Sequence, residues 1–357
     1  MGAVTVRERL DVQRLMVLGA ATSRNVPPVT ALLRDGTAII AVGGAAAGGF
    51  GVESVKSMVV GDPVGRWWLL LGCAAGVILT AVGVWLRHRA RPRPRIGIVV
   101  TVADGRRGIQ QARVRAQQAE QFSRGNGAVT VRISADLATA GIGARDVGLI
   151  ERLADETLLS LTLVDHLAPD AARIDLIPTM PLHVAFRYGA RLGHTHARSI
   201  VVHAVRQGEG TPAYFAATVL RASESATAPL IVERFDVAAD VGASALALDL
   251  QGRGSRFRES VRQACVAHDF GKVILLRNPR ALLAEDADEF TAVVDQVCQE
   301  WQAEGHTGRA GIFLTGPVAI AVALGARLAS PEPTRWTPFS LDGDAGYEPF
   351  PRVRQPR

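Results

Sequence analysis

A chain of 357 residues, 48% hydrophobic and 21% charged, has room for a two-lobed body plus an appendage, and its three cysteines without paired spacing argue against a disulfide framework. The net charge of +6 invites a nucleic-acid reading, yet residues 1–95 hold 12 Lys+Arg against 5 Asp+Glu while the remainder holds 28 against 29. The basic excess belongs to the N-terminal quarter, so the main body is not expected to bind duplex nucleic acid.

Residues 1–36 form a basic segment with no small-residue cleavage site after a charged start, and a cleavable signal is not expected there. Residues 37–52 are uncharged and rich in Gly and Ala. They read as a first membrane span, with a re-entrant Gly-rich segment as the alternative. Gly44 and Gly48, and Ala47 and Gly51, have the four-residue spacing at which membrane helices pack backbone to backbone, and Gly72, Gly76 and Gly83 offer a matching groove. Residues 67–86 are twenty without a charge, begin with Trp67 and Trp68, carry Trp85 near the far end, and run into Arg87, Arg89, Arg91, Arg93 and Arg95. Length, interfacial indoles and following arginines predict a second span, residues 37–95 thus holding a membrane pair and a basic linker. Arginines on both outer flanks are expected to hold both termini in the cytoplasm.

The body is expected to hold two α/β halves, 96–242 and 243–357. In the first, the apolar run from Arg95 to Val102 leads into a loop with Gly105, Arg106 and Arg107 and then a polar helical stretch. In the second, the run from Ala243 to Leu250 leads into Gly252, Arg253, Gly254, Ser255 and Arg256 and another helix. Glycines let backbone amides approach an anion and guanidinium groups fork onto phosphate, so these loops suit phosphate; solvated turns are the plain alternative.

A repeat links the halves. Pro181, Ala185, Gly189, Ala190, Arg191 and Leu192 recur at the same spacing as Pro317, Ala321, Gly325, Ala326, Arg327 and Leu328, and Thr179 matches Thr315 upstream. Each copy reads as strand, turn and Pro-led helix whose small residues let it approach a sheet closely. The turns Thr179, Met180, Pro181 and Thr315, Gly316, Pro317 fall at strand carboxyl ends, where open α/β sheets bind ligands and helix N-termini attract anions. A duplicated unit implies a pocket between its copies.

No paired carboxylates, nucleophile beside a base, or phosphate-binding lysine motif is found, and His194 with His196 lacks a further ligand at metal spacing. No catalytic residue, metal or cofactor is expected. A membrane-tethered nucleotide hydrolase or transferase using the same crevice is the alternative.

The stretch from Gly311 to Leu328, with Arg335, Trp336 and a closing segment that includes Tyr347, resembles a SAVED domain over about residues 96–357. That resemblance implies two fused CARF-like, Rossmann-like halves. It also implies a cyclic di- or oligonucleotide ligand, made by a cognate nucleotidyltransferase in bacterial anti-phage signalling (CBASS). Family members fuse the sensor to an effector, and here the only appendage is the membrane pair. The implied protein is a membrane-spanning effector that forms homo-oligomers on binding its messenger and disrupts the inner membrane in abortive infection. Its ligand would contact the two Gly/Arg loops and the two Thr turns, with Trp336 stacking on a base.

Overall fold

The structure is a computed structural model that describes residues 37–60, 65–90, 95–104, 109–126, 128–137, 144–167, 173–196, 198–206, 213–221, 230–237, 242–279, 287–305, 308–341 and 346–351. The described residues fall into two units, one made of 37–60 and 65–90 and the other of those from 95 onward.

The smaller unit is a helical hairpin of α1 (Thr37–Val60) and α2 (Gly65–Ala90). The first helix runs past residue 52, since Val52, Glu53 and the following residues continue its turns. Glycines set the crossing, on the expected face of Ala47 and Gly51 joined by Gly43, and not on that of Gly44 and Gly48. A Cβ on Gly43 would stand 2.6 Å from the Thr80 backbone nitrogen, and one on Gly76 would stand 2.4 Å from that of Ala47. Gly44 and Gly48 have no atom within 4 Å of such a Cβ and lie on the outer side. Helical geometry separates the two: Gly43, Ala47 and Gly51 share one stripe, with Gly44 and Gly48 about 100° further round. Among the described residues, which leave out side chains at both ends of α2, no helix is long and apolar enough to cross a membrane.

In the body, β1 (Arg95–Asp104), α3 (Ile109–Gly125), β2 (Ala128–Leu137), α4 (Ala144–Leu167), β3 (Arg173–Thr179), α5 (Leu182–Leu192), β4 (Ser199–Arg206) and β5 (Ala213–Val219) make the first half. Its sheet has the order β2-β1-β3-β4-β5, parallel except for the β5 edge. The second half comprises β6 (Ile231–Asp236), β7 (Ser244–Asp249), α6 (Ser255–Ala267), β8 (Lys272–Arg277), α7 (Ala287–Ala303), β9 (Ala310–Thr315), α8 (Val318–Leu324), β10 (Trp336–Leu341) and β11 (Tyr347–Pro349). Its order is β11-β10-β9-β7-β8-β6, with antiparallel edges β11 and β6. Leaving out β6, the two orders coincide strand for strand. The fold is thus α/β with two mixed, parallel-rich sheets, as Rossmann-like halves require. Strand β6 precedes residue 243 but pairs with β8 in the second sheet.

The central strands explain themselves: β7 and β9 are buried at every position, as continuous apolar runs covered on both faces must be. The helices of the repeat pack on each other. A Cβ on Gly189 would lie 2.0 Å from the Val322 carbonyl oxygen, and one on Gly325 would lie 1.9 Å from that of Phe186. In the repeat Gly189 matches Gly325 and Phe186 matches Val322, so the contact is reciprocal about a pseudo-two-fold axis. The small residues expected to bring each helix onto a sheet bring the two halves together instead. The repeated arginines take part in this scaffold. Arg327 pairs with Asp295 of α7 in a largely buried bridge, and Arg191 pairs with Asp155 of α4 at 2.9 Å.

Candidate ligand-binding cleft

The register sets Asp249, the last residue of β7, against Thr315, the last of β9. Asp249 is only 1% exposed, and its carboxylate is surrounded by donors. Oδ1 accepts the Thr315 hydroxyl at 3.0 Å and the backbone N–H groups of Gln251 and Arg253 at 3.3 and 3.1 Å, while Oδ2 accepts the Gly254 N–H at 2.8 Å. The chain can fold back on this carboxylate because Gly252 and Gly254 take φ of 66° and 60°, which side chains with a Cβ rarely adopt.

Beside this turn lies an open cleft of about 200 Å³ whose lining includes His183 from α5, Gln251, Arg253, Thr315, Ser340 and Tyr347. His183 comes from the first half and the others from the second, so the cleft spans the pseudo-two-fold join. It is smaller than the roughly 300–1,000 Å³ of a pocket that encloses a whole drug-sized ligand, and it suits one moiety of a larger molecule. Arg253 and Arg256 are exposed, and neither makes an ion pair among the described residues. Burial is the main cause that pushes the Tyr347 hydroxyl up to about 12, with Arg253 opposing and Asp249 adding to the shift. At neutral pH that hydroxyl is a proton donor. Tyr347 is held edge-on to Phe313 with ring centroids 5.2 Å apart. The arrangement offers a guanidinium, a phenol and an amide side by side, a donor-rich rim for an anionic, hydrogen-bonding ligand.

The residues expected at the site divide into five groups, of which Trp336 is the last. Arg253 lines the cleft and Arg256 lies close by in sequence at the start of α6, with exposed Ser255 beside it and Gly252 and Gly254 shaping the turn. Thr315 is at the cleft, but its hydroxyl serves Asp249; Gly316, at φ 135°, packs against Leu250, and Pro317 is the residue before α8, not inside its first turn. Thr179 sits half-buried at the end of β3 and Met180 lies in the core. Gly105, Arg106 and Arg107 lie outside the described residues. The backbone amides of 251, 253 and 254, expected to cradle phosphate, already serve the protein's own carboxylate.

Trp336 requires a correction. It is 4% exposed and packed between Trp301 and Phe186, ring centroids 4.8 and 5.4 Å away. It begins β10 opposite Ala310, the first residue of β9, so it stands at the far end of the sheet from Thr315 and no base can stack on it there. Tyr347, by contrast, lines the cleft. Asp249, His183, Gln251 and Ser340 were not expected. Of these, only an aspartate ending a strand directly before a Gly-rich turn gives a sequence signal.

Among the described residues no group of three or more His, Cys, Asp or Glu is placed to hold a metal ion. His194 Nδ1 is 2.9 Å from the Ala326 carbonyl oxygen, part of the join between halves. Cys265 and Cys298 are buried thiols pushed up by burial to about 12 and about 11, unreactive as thiolates at neutral pH.

Neither a family model nor a curated protein matches the chain. Among solved structures it is similar to the Acinetobacter baumannii Cap4 SAVED/CARF-domain containing receptor with the cyclic trinucleotide 2'3'3'-cAAA, with a TM-score of 0.46 and 11% identity over 80% of this chain and 58% of that one. The same receptor with 3'3'3'-cAAA gives a TM-score of 0.41 at 11% identity over 80% and 58%. The Moraxella osloensis Cap4 SAVED/CARF-domain containing receptor gives 0.38 at 9% identity over 90% and 76%. The chain thus spans less than two thirds of the length of the Acinetobacter receptor.

Proposed function

We propose that the chain is a receptor and effector in one. Its body senses a cyclic di- or oligonucleotide made by a cognate nucleotidyltransferase, and its helical hairpin acts on the bacterial inner membrane, with both termini in the cytoplasm. The observation that carries the sensing is the composite cleft: Arg253, protonated Tyr347 and Gln251 stand at the end of the second sheet, with His183 supplied by the first half. A ligand seated there touches both halves at once, which is what couples binding to a change in how the body associates. The SAVED resemblance of the sequence names the same ligand class and the role in anti-phage signalling.

The hairpin supports the membrane half of the reading. Its exposed side chains include Val42, Val52, Leu71, Ile78, Val84 and Trp85, each more than half exposed. Such exposed apolar side chains are costly in water and ordinary against lipid. The membrane reading rests on the sequence, on the twenty uncharged residues 67–86 with their flanking indoles and arginines. Ligand-driven association of bodies raises the local concentration of hairpins, which then pack and breach the bilayer. No reacting group is needed: the protein acts as a receptor and returns its ligand unchanged.

Binding is tested with the purified full chain against a panel of cyclic di- and trinucleotides by isothermal titration calorimetry. Arg253→Ala is expected to weaken the binding of the active member at least tenfold with the thermal unfolding midpoint unchanged, since the side chain is exposed and makes no ion pair among the described residues. An unchanged affinity would place the ligand elsewhere. Recovery of a cleaved nucleotide would make the protein an enzyme.

A further inference from the structure

The two halves differ in the residue that the strand register sets opposite the repeated threonine. Strand β7 corresponds to β1 and β9 to β3, so the pair Asp249 and Thr315 corresponds to the pair Thr101 and Thr179, each set opposite the other by strand register. In the second half the position holds a carboxylate that takes a hydroxyl and three backbone amides. In the first half it holds a threonine that is 5% exposed and whose hydroxyl has no hydrogen-bond partner among the described residues.

A carboxylate at a Gly-rich turn before a helix occupies the place in which such turns otherwise receive a phosphate oxygen, because both are small anions with several acceptor lone pairs. Resting on the proposed cyclic-nucleotide reading, we propose that Asp249 is a positioning residue that substitutes internally for a ligand phosphate. It clamps the Gln251–Gly254 turn, fixes the backbone from which Arg253 projects, and excludes phosphate from the turn's amides. The second half therefore meets the ligand with side chains, those of Arg253, Gln251 and Tyr347.

The test replaces Asp249 by the residue its counterpart carries. In Asp249→Thr the amides of 251, 253 and 254 lose their acceptor, and inorganic pyrophosphate is the probe for the vacated place. The unliganded full chain is expected to show no thermal shift with millimolar pyrophosphate, whereas Asp249→Thr gains a concentration-dependent upward shift. Where a cyclic nucleotide binds the wild type, the variant is expected to bind it at least tenfold more weakly, with a steeper dependence on salt. Asp249→Asn keeps one acceptor oxygen but turns an NH2 group toward the donors, and it supplies an intermediate loss if the threonine variant fails to fold. No pyrophosphate response in a folded Asp249→Thr would overturn the inference, and so would wild-type affinity for the cyclic nucleotide in that variant. The pyrophosphate arm needs no cyclic ligand, so it decides this inference even if no cyclic nucleotide binds and the receptor reading fails.

Discussion

Single residues show how much the body depends on buried charge away from the cleft. Asp175, 6% exposed, accepts the Arg173 Nε–H at 2.7 Å and lies 3.0 Å from His203 Nε2, with the Phe122 ring 5.4 Å from that imidazole. Burial alone would raise the Asp175 carboxyl, but hydrogen bonds and charge from His203 and Arg173 outweigh it and hold the group below its ordinary 3.8. A carboxyl depressed in the folded state contributes stability that is present above the unfolded value and is lost as pH falls through the folded one. Acid below about pH 4 is thus expected to weaken the body through this site. Asp175→Asn should cost about 1–3 kcal/mol at neutral pH, because the Arg173 guanidinium and the His203 ring lose a charged acceptor. Urea unfolding at a series of pH values checks both statements: the gap between wild type and variant should close on acidification, and a gap independent of pH would exclude the ionic origin.

At the scale of elements, the glycines of the repeat carry the join between the halves. Gly189→Ala and Gly325→Ala each place a methyl group about 2 Å from a carbonyl oxygen of the opposite helix, closer than any real contact, and backbone cannot yield as a flexible side chain can. Overpacking of this kind costs about 1–3 kcal/mol or more, and the two changes are expected to be strongly non-additive because they open the same helix pair. Gly148→Ala in α4, where an added Cβ meets nothing within 4 Å, should instead raise stability by about 0.5–1 kcal/mol. Calorimetric unfolding of the three variants tests the contrast. The repeat itself was legible in the sequence because six identical positions at fixed spacing need no tertiary information, and it led correctly to matching β-α units. Its packing partner was not legible, since small residues four apart serve a sheet and another helix equally well. The same limit applied at the cleft. Arginine beside glycine announced a turn at 252–256, but only the fold shows that Asp249 satisfies that turn from within. Trp336 was misplaced because an aromatic at a strand boundary does not reveal which end of the sheet it occupies. In the hairpin, spacing alone offered two stripes, Gly44 with Gly48 and Ala47 with Gly51, and only the fold shows that the second, with Gly43, lies at the crossing.

At the scale of the whole molecule, two units of different chemistry share one chain, and the proposed function requires that the state of one alter the behaviour of the other. The hairpin offers a way to separate them, because its crossing rests on positions remote in sequence from the cleft. A Cβ on Gly76 would stand 2.4 Å from the Ala47 backbone nitrogen and 2.9 Å from the Gly43 carbonyl oxygen, so Gly76→Val forces α1 and α2 apart without touching Arg253 or Tyr347. Dye-loaded liposomes carrying the full chain are expected to leak when a cyclic nucleotide that binds the wild type is added, and to stay sealed without it. Arg253→Ala should suppress leakage by weakening binding, whereas Gly76→Val should suppress it with the calorimetric affinity retained. The pattern across the two variants distinguishes the steps: the first removes the signal and the second the response. If the wild type binds its nucleotide and the vesicles remain sealed, the hairpin is an anchor and the output lies in assembly of the bodies. If Gly76→Val leaks as the wild type does, the α1–α2 crossing is not the element that opens the bilayer.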